Sequence, residues 1–393
     1  MKFSVLLPTR NRLDLLKSAI ETVRRQDYSD WEIIVSDNFS DEDIIGYVQS
    51  LDDVRIKFHR TEKFIPVTDN WNNALLHSNG TYVIMLGDDD CLMQGYFSKL
   101  SKLIKMHGAP ELIYTSAFLY AYPGVMPNCP DGFLYTYNNR EIFRSVGEPF
   151  KLRKEEATEL VKLSTDFRMR FDYNMQFSLV SRKLIRRMAT YGSFYQSPYP
   201  DYYASNALML KAESVLVVPQ PLVAIGISPK SFGFYYFNDL EQKGNEFLKN
   251  TPDEQMIQRL RRIILPGTDM NTSWLLSMET LAANFETEEN INVNYDRYRL
   301  LQICSVFSTI IGNSQSNNLA AQELRKKMTL REWMLYGIPL CLATSIALIV
   351  PSRYRTYLAR RLIALTGSHP KFTAKKIDGK FRTILDVFEK ASV

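Results

Sequence analysis

Four short apolar runs in the first ninety residues set the frame. Phe3-Ser4-Val5-Leu6-Leu7 closes at Pro8, and Glu32-Ile33-Ile34-Val35-Ser36 runs into Asp37. Val54 to His59 precedes a polar loop, and Tyr82-Val83-Ile84-Met85-Leu86 stops at Gly87. Short apolar runs bounded by turn signals read as buried strands. Between the first two runs, Leu15, Leu16, Ala19, Ile20 and Val23 recur at helical spacing over Asp14 to Gln26. Strand, helix, strand predicts a parallel sheet with right-handed crossovers. Each strand then delivers polar residues to one rim: Thr9, Arg10 and Asn11 after the first, Asp37 and Asn38 after the second, Asp88, Asp89 and Asp90 after the fourth. Open α/β sheets bind ligands at that rim.

Farther along, the period changes to helical. Asp239 to Leu248, Pro252 to Ile264, Thr272 to Phe285 and Tyr295 to Ile311 carry apolar residues at helical spacing, separated by Asn-rich junctions at Asn290 to Asn294 and Asn313 to Asn318. The pattern divides the chain into an α/β part over 1–237, with halves 1–110 and 111–237, a helical region over 238–330, and a tail over 331–393.

Charge changes the picture only in the tail. The chain is formally +5, yet Pro351 to Val393 holds ten Lys or Arg against three Asp or Glu. Just before it, Trp333 to Val350 has no charged residue and is preceded by Arg325, Lys326, Lys327 and Arg331. About twenty apolar residues span a bilayer, so this segment is at the lower limit, and Gly337 and Pro339 interrupt it. Three readings stand: a re-entrant or in-plane membrane segment, a buried helical hairpin, and a span. Basic flanks on both sides argue against the span. Tyr354, Tyr357, Leu358, Leu362 and Ile363 among Arg353, Arg355, Arg360 and Arg361 suit an anionic membrane surface, against a default of a solvated basic helix. No nucleic-acid reading motif accompanies the charge. Cys91, Cys129, Cys304 and Cys341 have no metal-ligand spacing and fit a reducing cytoplasm. With no secretory signal pattern at the start, the expectation is a cytoplasmic protein or one peripheral on the cytoplasmic membrane face.

The acid triplet carries the chemistry. Three carboxylates after a buried strand repel one another unless a divalent cation takes up the charge, and hard oxygen ligands select Mg²⁺ or Mn²⁺. Those ions usually arrive with phosphates, which points to a nucleotide diphosphate substrate. The alternative is a solvated acidic turn.

Four blocks together resemble the family 2 glycosyltransferases: Leu7-Pro8-Thr9-Arg10-Asn11-Arg12, Glu32 to Asp41, Asn70-Trp71-Asn72-Asn73-Ala74-Leu75 with Gly80-Thr81-Tyr82, and Leu86-Gly87-Asp88-Asp89-Asp90. The resemblance implies a GT-A fold, an α/β architecture with a mostly parallel sheet flanked by helices, here followed by an α-helical appendage. It implies an inverting metal-dependent transfer from a nucleotide diphosphate sugar, UDP-linked by preference, to a polysaccharide or lipid-linked acceptor. Pro8 and Arg10 match the loop bordering the nucleobase, with Thr9 between them; Asp37, with Asn38 next to it, matches the acid on a uracil-type base, and Asn72 belongs to the third block. Asp88, Asp89 and Asp90 match the metal and ribose site, Asp90 with Asp88 or Asp89 being the expected metal pair. Asp201, at the start of a helical pattern some 110 residues on, matches the acid that takes the acceptor's proton; a helix N-terminal Asp is its plain structural reading. Two departures stand out: Gly87 where the family commonly has Asp, and Asn73 where it often has Arg. Lys230, in Ile227-Ser228-Pro229-Lys230-Ser231-Phe232-Gly233, is a candidate replacement cation on a lid, against a solvated loop. Aromatic stretches at Tyr114 to Tyr137 and Phe232 to Phe237 are candidate sugar-stacking surfaces, against core packing. Two other classes stay open: a silent nucleotide-sugar-binding or membrane scaffold, and a nucleotidyltransferase.

Overall fold

The computed structural model describes residues 1–391 apart from 127–128, 145, 169–171, 173, 239, 250–252, 313–317 and 368–371. The chain divides into two compact units, Met1–Val161 with Phe171–Thr251 and Lys371–Val393, and Lys162–Arg170 with Pro252–Pro370.

The first unit is built on one mixed sheet. Its strands are β1 (Phe3–Thr9), β2 (Trp31–Asp37), β3 (Ile56–Arg60), β4 (Tyr82–Met85), β5 (Cys91–Leu92), β6 (Leu112–Ala121), β7 (Phe133–Asn139), β8 (Phe150–Leu152), β9 (Ser178–Ser181), β10 (Val215–Ile227) and β11 (Phe372–Lys376). The order across the sheet is β11-β7-β6-β9-β4-β1-β2-β3. The half formed by β3, β2, β1 and β4 is parallel, as the βαβ pattern requires. Register pairs Thr9 with Asp37 and Asp37 with Arg60, so the polar ends of these strands lie side by side. Antiparallel pairing of β9 with β4 and β6 then closes the parallel half onto the rest.

β10 has the greatest consequence for the site. It runs parallel to β6, slips register around Pro221, and there meets the two-residue β5 antiparallel, pairing Val223 with Leu92 and Ala224 with Cys91. That pairing lays β10 against the chain directly after the acid triplet.

The end of the chain differs from the expectation of a single tail over 331–393. β11 pairs antiparallel with β7, and the helix Ile384–Lys390 starts at a Thr383–Asp386 capping box. Phe381, Ile384, Val387 and Phe388 are buried against Met93, Phe118, Tyr120 and Leu134. Isolated strands and helices this short are marginal, which is why the sequence pattern does not reveal them; the sheet edge and core make them stable.

The second unit is helical, as expected, with helices at Glu254–Leu260, Asp269–Glu289, Tyr295–Gly312, Asn318–Lys327, a nearly continuous segment Leu330–Ile349, and Ser352–Leu365. Helix Glu241–Leu248 belongs to the first unit, so the boundary falls near 251 and not at 237. Most of the junction expected at Asn313 to Asn318, and the expected helix starts Asp239 and Pro252, lie outside the described residues. Inside the segment, Trp333–Gly337 is a π-turn. Pro339 supplies no N–H, and such a bulge absorbs the missing bond. A side chain at Gly337 would enter the Trp333 ring, its Cβ 2.2 Å from a ring carbon.

Candidate active site

The loop after β1 is stitched to the loop after β2. Asn11 is in the left-handed region at φ 53°, its N–H donates to Ser40 Oγ at 2.9 Å, and its side chain pairs with Asp41. Asp37 is fully buried; Oδ1 accepts from the Ser40 N–H at 3.0 Å and Oδ2 from Arg60 at 3.3 Å. Arg10 lies over the Phe64 ring at 4.0 Å and Arg60 over Phe39 at 5.1 Å. Pro8, half-buried, ends the hydrophobic stretch of β1. Planar cations on aromatic rings beside a carboxylate make a setting suited to a flat, hydrogen-bonding base.

Asn38 and Asn72 have other duties. The Asn38 amide donates to the Ile65 carbonyl and accepts from the Ile65 N–H, holding the 61–65 loop. Asn72 does the same for Tyr195, at 2.8 and 3.1 Å, fixing the loop that leads to Asp201. Both are positioned as loop clamps. Asn73 donates to Ser36 Oγ and brings no charge.

The three acids do not act as one cage. Asp88 accepts from Thr9 Oγ1 and from Arg12 Nη1, each at 2.8 Å. Asp90 turns away: Oδ1 accepts from the Gly226 N–H at 2.8 Å, and Oδ2 from the Gly87 N–H at 2.9 Å and Gln176 at 2.6 Å. Both oxygens of Asp90, an expected metal ligand, thus accept from backbone and amide donors and tie the triplet to β10. Asp89 is the one with an orphan: its Oδ2 is buried and has no hydrogen-bond partner among the described residues. Burial first, then the charge of Asp88, raises the Asp89 carboxyl, partly offset by Arg12; burial and Asp89 raise that of Asp90. Two buried carboxylates this close resist losing both protons.

Two glycines make the arrangement possible. A Cβ at Gly226 would lie 2.0 Å from the Asp89 carbonyl oxygen, and one at Gly87 would lie 2.5 Å from Asp90 Oδ2. The departure at Gly87 thus has a local cause: the space an Asp side chain would need is taken by the Asp90 carboxylate.

Among the described residues no group of three or more His, Cys, Asp or Glu side chains is arranged as a metal cage. A Mg²⁺-type site does not need one, since one or two carboxylates plus substrate phosphates commonly suffice. The orphaned Asp89 oxygen beside Asp88 fits that pattern.

Over this site lies the turn after β10. Arg12 Nη2 donates to the Lys230 carbonyl, and Lys230 Nζ donates to the Asn11 carbonyl, a reciprocal strap between the two loops. Lys230 Nζ is also 3.8 Å from Glu42. The cation paired with the acids is Arg12, most of whose side chain is covered, while Lys230 is more open. Arg12, Gln176 and Gly226 are the site residues that sequence reasoning did not assign; Arg12 stood in the quoted motif, while Gln176 and Gly226 carried no local signal.

Asp201 sits in the first turn of helix Pro200–Lys211, where Oδ1 accepts from the Tyr202 N–H at 3.0 Å. Burial pushes its carboxyl up to about 7, only partly offset by that N–H. Tyr199, stacked on Tyr202 at 5.9 Å, meets Phe232 edge-on at 6.4 Å, so Asp201 adjoins the segment that carries Lys230. The aromatic stretch from Tyr114 is mainly core: Phe118 and Tyr120 are buried, and Tyr114 stacks on Phe177. Tyr137 instead donates to Asp172, whose carboxyl burial raises to about 7.

A mixed sheet with a parallel half, acids at the rim of that half and helices around it matches the α/β architecture expected of a GT-A glycosyltransferase. Comparison with known proteins agrees: residues 4–149 match the profile described as glycosyl transferase family 2. A Campylobacter jejuni GalNAc(5)-diNAcBac-PP-undecaprenol beta-1,3-glucosyltransferase is 43% identical over 102 residues, 25% of this chain and 33% of that protein. The colanic acid biosynthesis glycosyl transferase WcaA of Escherichia coli, a putative assignment by its own description, is 34% identical over 30% of this chain and 41% of that protein. These matches span well under half of those two relatives. An Escherichia coli protein, UDP-Glc:alpha-D-GlcNAc-diphosphoundecaprenol beta-1,3-glucosyltransferase WfgD, is 23% identical over 53% of this chain and 92% of its own length. Among solved structures, residues 1–349 of Staphylococcus aureus TarS with UDP-GlcNAc align over 94% of this chain and 90% of that one, at 13% identity and a TM-score of 0.48.

Proposed function

We propose that this chain transfers a sugar from a UDP-linked donor to a lipid-linked glycan acceptor by inverting displacement, at the cytoplasmic face of a membrane. The observation that carries the reading is the pairing of the orphaned Asp89 oxygen and Asp88 at one rim with a near-neutral Asp201 next to the segment that covers them. Relatives named as acting on undecaprenyl-diphosphate-linked acceptors, one of them with UDP-Glc, support the donor and acceptor classes.

Asp37, Arg10 and the Phe64 ring hold the base. Asp89 and Asp88 hold a divalent cation, Mn²⁺ or Mg²⁺, which when bound supplies charge to the leaving diphosphate. Arg12, already paired with Asp88, adds positive charge beside the phosphates. The strap between Arg12 and the Lys230 turn excludes water from the donor. Asp201 accepts the acceptor hydroxyl's proton as the oxygen attacks the anomeric carbon and the bond to the diphosphate breaks; a base with pKa near ambient pH is efficient in that role.

The test is a binding panel of UDP, GDP, CMP and dTDP, each with Mn²⁺, Mg²⁺ or EDTA, read by melting temperature and calorimetry, followed by turnover of the matching sugar nucleotide. Ligand that binds only the folded state raises the melting point by mass action. Metal-dependent stabilisation by UDP is expected; no response to any nucleotide overturns the reading and favours the silent scaffold.

A further inference from the structure

One face of the segment Leu330–Ile349 is apolar and open. Met334, Leu335, Ile338, Leu342, Ile346 and Ile349 are each more than half exposed. From Leu335 onward their spacing of three and four residues draws one stripe along the helix. The opposite stripe is packed: Trp333, Tyr336, Leu340 and Cys341 lie on Ile303, Val306 and Phe307, and Ala347 on Ile311 and Ala359. The expectation of a buried hairpin is therefore met on one side only.

The charge around the open stripe has one sign. Arg325, Lys326, Lys327, Arg331, Arg353, Arg360 and Arg361 are exposed, and the only acid in 325–361, Glu332, is held by Arg299 at 2.7 Å. Tyr354 and Tyr357 are exposed beside the last group, with Arg353 and Arg361 over their rings. Arg355 turns back and caps the segment through the Leu348 and Val350 carbonyls.

We propose that this face docks in the plane of an anionic lipid surface, with the Leu335 to Ile349 stripe in the acyl boundary and the seven cations and two tyrosines at headgroup level. Cation-flanked apolar stripes with interfacial aromatics bind lipid in this way. A crossing helix does not fit: Tyr295–Gly312 and Ser352–Leu365 pack against the segment and would carry Arg353, Arg360 and Arg361 into hydrocarbon. A second copy fits poorly as well. Two copies apposed through the stripe would bring its flanking cations, all of one sign, against each other. The proposal adds the docking residues and orientation to the membrane-face reading above and rests on residues apart from the catalytic ones.

The experiment sediments the full chain with phosphatidylcholine vesicles and with vesicles containing about 30 mol% phosphatidylglycerol. Capture by the anionic vesicles is expected, at least about tenfold above the neutral ones and weakened by high salt. Leu342→Glu with Ile346→Glu should lower capture at least about tenfold with the melting temperature unchanged, since both side chains point outward. Alkaline carbonate should release the bound protein. Retention through carbonate, equal capture by both vesicles, or a dimer abolished by the double change without any vesicle capture would each overturn the proposal. Nucleotide binding measured on the same samples separates this outcome from failure of the glycosyl-transfer reading.

Discussion

Replacing Asp201 by Asn should remove activity and at the same time make the protein more stable. The carboxyl ionises near 7 in the fold against 3.8 for an ordinary aspartate, because burial penalises its charge. At 1.36 kcal/mol per tenfold change in proton affinity, the difference amounts to about 4 kcal/mol. The sign follows from the raised value: the folded state holds the proton more tightly, so this contribution is fully present below about 4, is withdrawn as pH rises, and is gone above about 7. Asn imitates the protonated form and forfeits nothing. At pH 8 the variant should therefore be more stable than the parent by up to about 4 kcal/mol, and at pH 4 by almost nothing. Loss of a general base typically costs about 10²- to 10⁴-fold in rate. The assay pairs chemical denaturation at the two pH values with donor turnover. In the parent, the rate should climb about tenfold per pH unit below 7 and flatten above it. A variant that is less stable at pH 8, or that keeps more than a tenth of parental turnover, would refute the assignment and leave Asp201 as a helix-start residue.

Asp89→Asn should abolish the metal dependence of UDP binding in calorimetry, while Asp88→Asn weakens it less; equal affinity with and without Mn²⁺ in the parent would remove the metal from the site. Asp90→Ala should act on the fold, costing on the order of 3 kcal/mol in denaturant unfolding, because the buried Gly226 and Gly87 N–H groups and the Gln176 amide lose their shared acceptor; selective loss of metal affinity without loss of stability would contradict the bracket role. Gly226→Ala should cost about 3 kcal/mol, since its Cβ would lie 2.0 Å from a carbonyl oxygen that the β5 pairing fixes, and a melting temperature within a degree of the parent would show that β10 yields there.

The parallel half-sheet and its rim were legible in sequence because the signals are local: each apolar run ends in its own polar residues, and Thr9, Asp37 and Asp88 reach one edge by strand register alone. What each acid does was not legible. Asp88 is set by Arg12, 76 residues away, and Asp90 by Gln176 and Gly226, 86 and 136 residues away. No local pattern distinguishes a ligand from a bracket when three identical residues are adjacent. Asn38 and Asn72 show the same ambiguity: an amide at a strand or helix end serves a substrate or a neighbouring loop with the same chemistry. In the basic tail, the apolar positions Phe381, Ile384, Val387 and Phe388 find their partners only across the sheet, which no local pattern reveals.

The return of residues 372–391 to the sheet has a bearing on biosynthesis. The edge of β7 and the floor beneath Tyr120 and Met93 lie bare until the ribosome has released about 120 further residues of helical unit and the final strand and helix have arrived. A nascent chain thus exposes a hydrophobic sheet edge for longer than a contiguous domain would, an invitation to chaperones and to strand exchange between neighbouring polysomes. By the same token, frameshifts and nonsense codons late in the message, far from any catalytic residue, damage the transferase core itself.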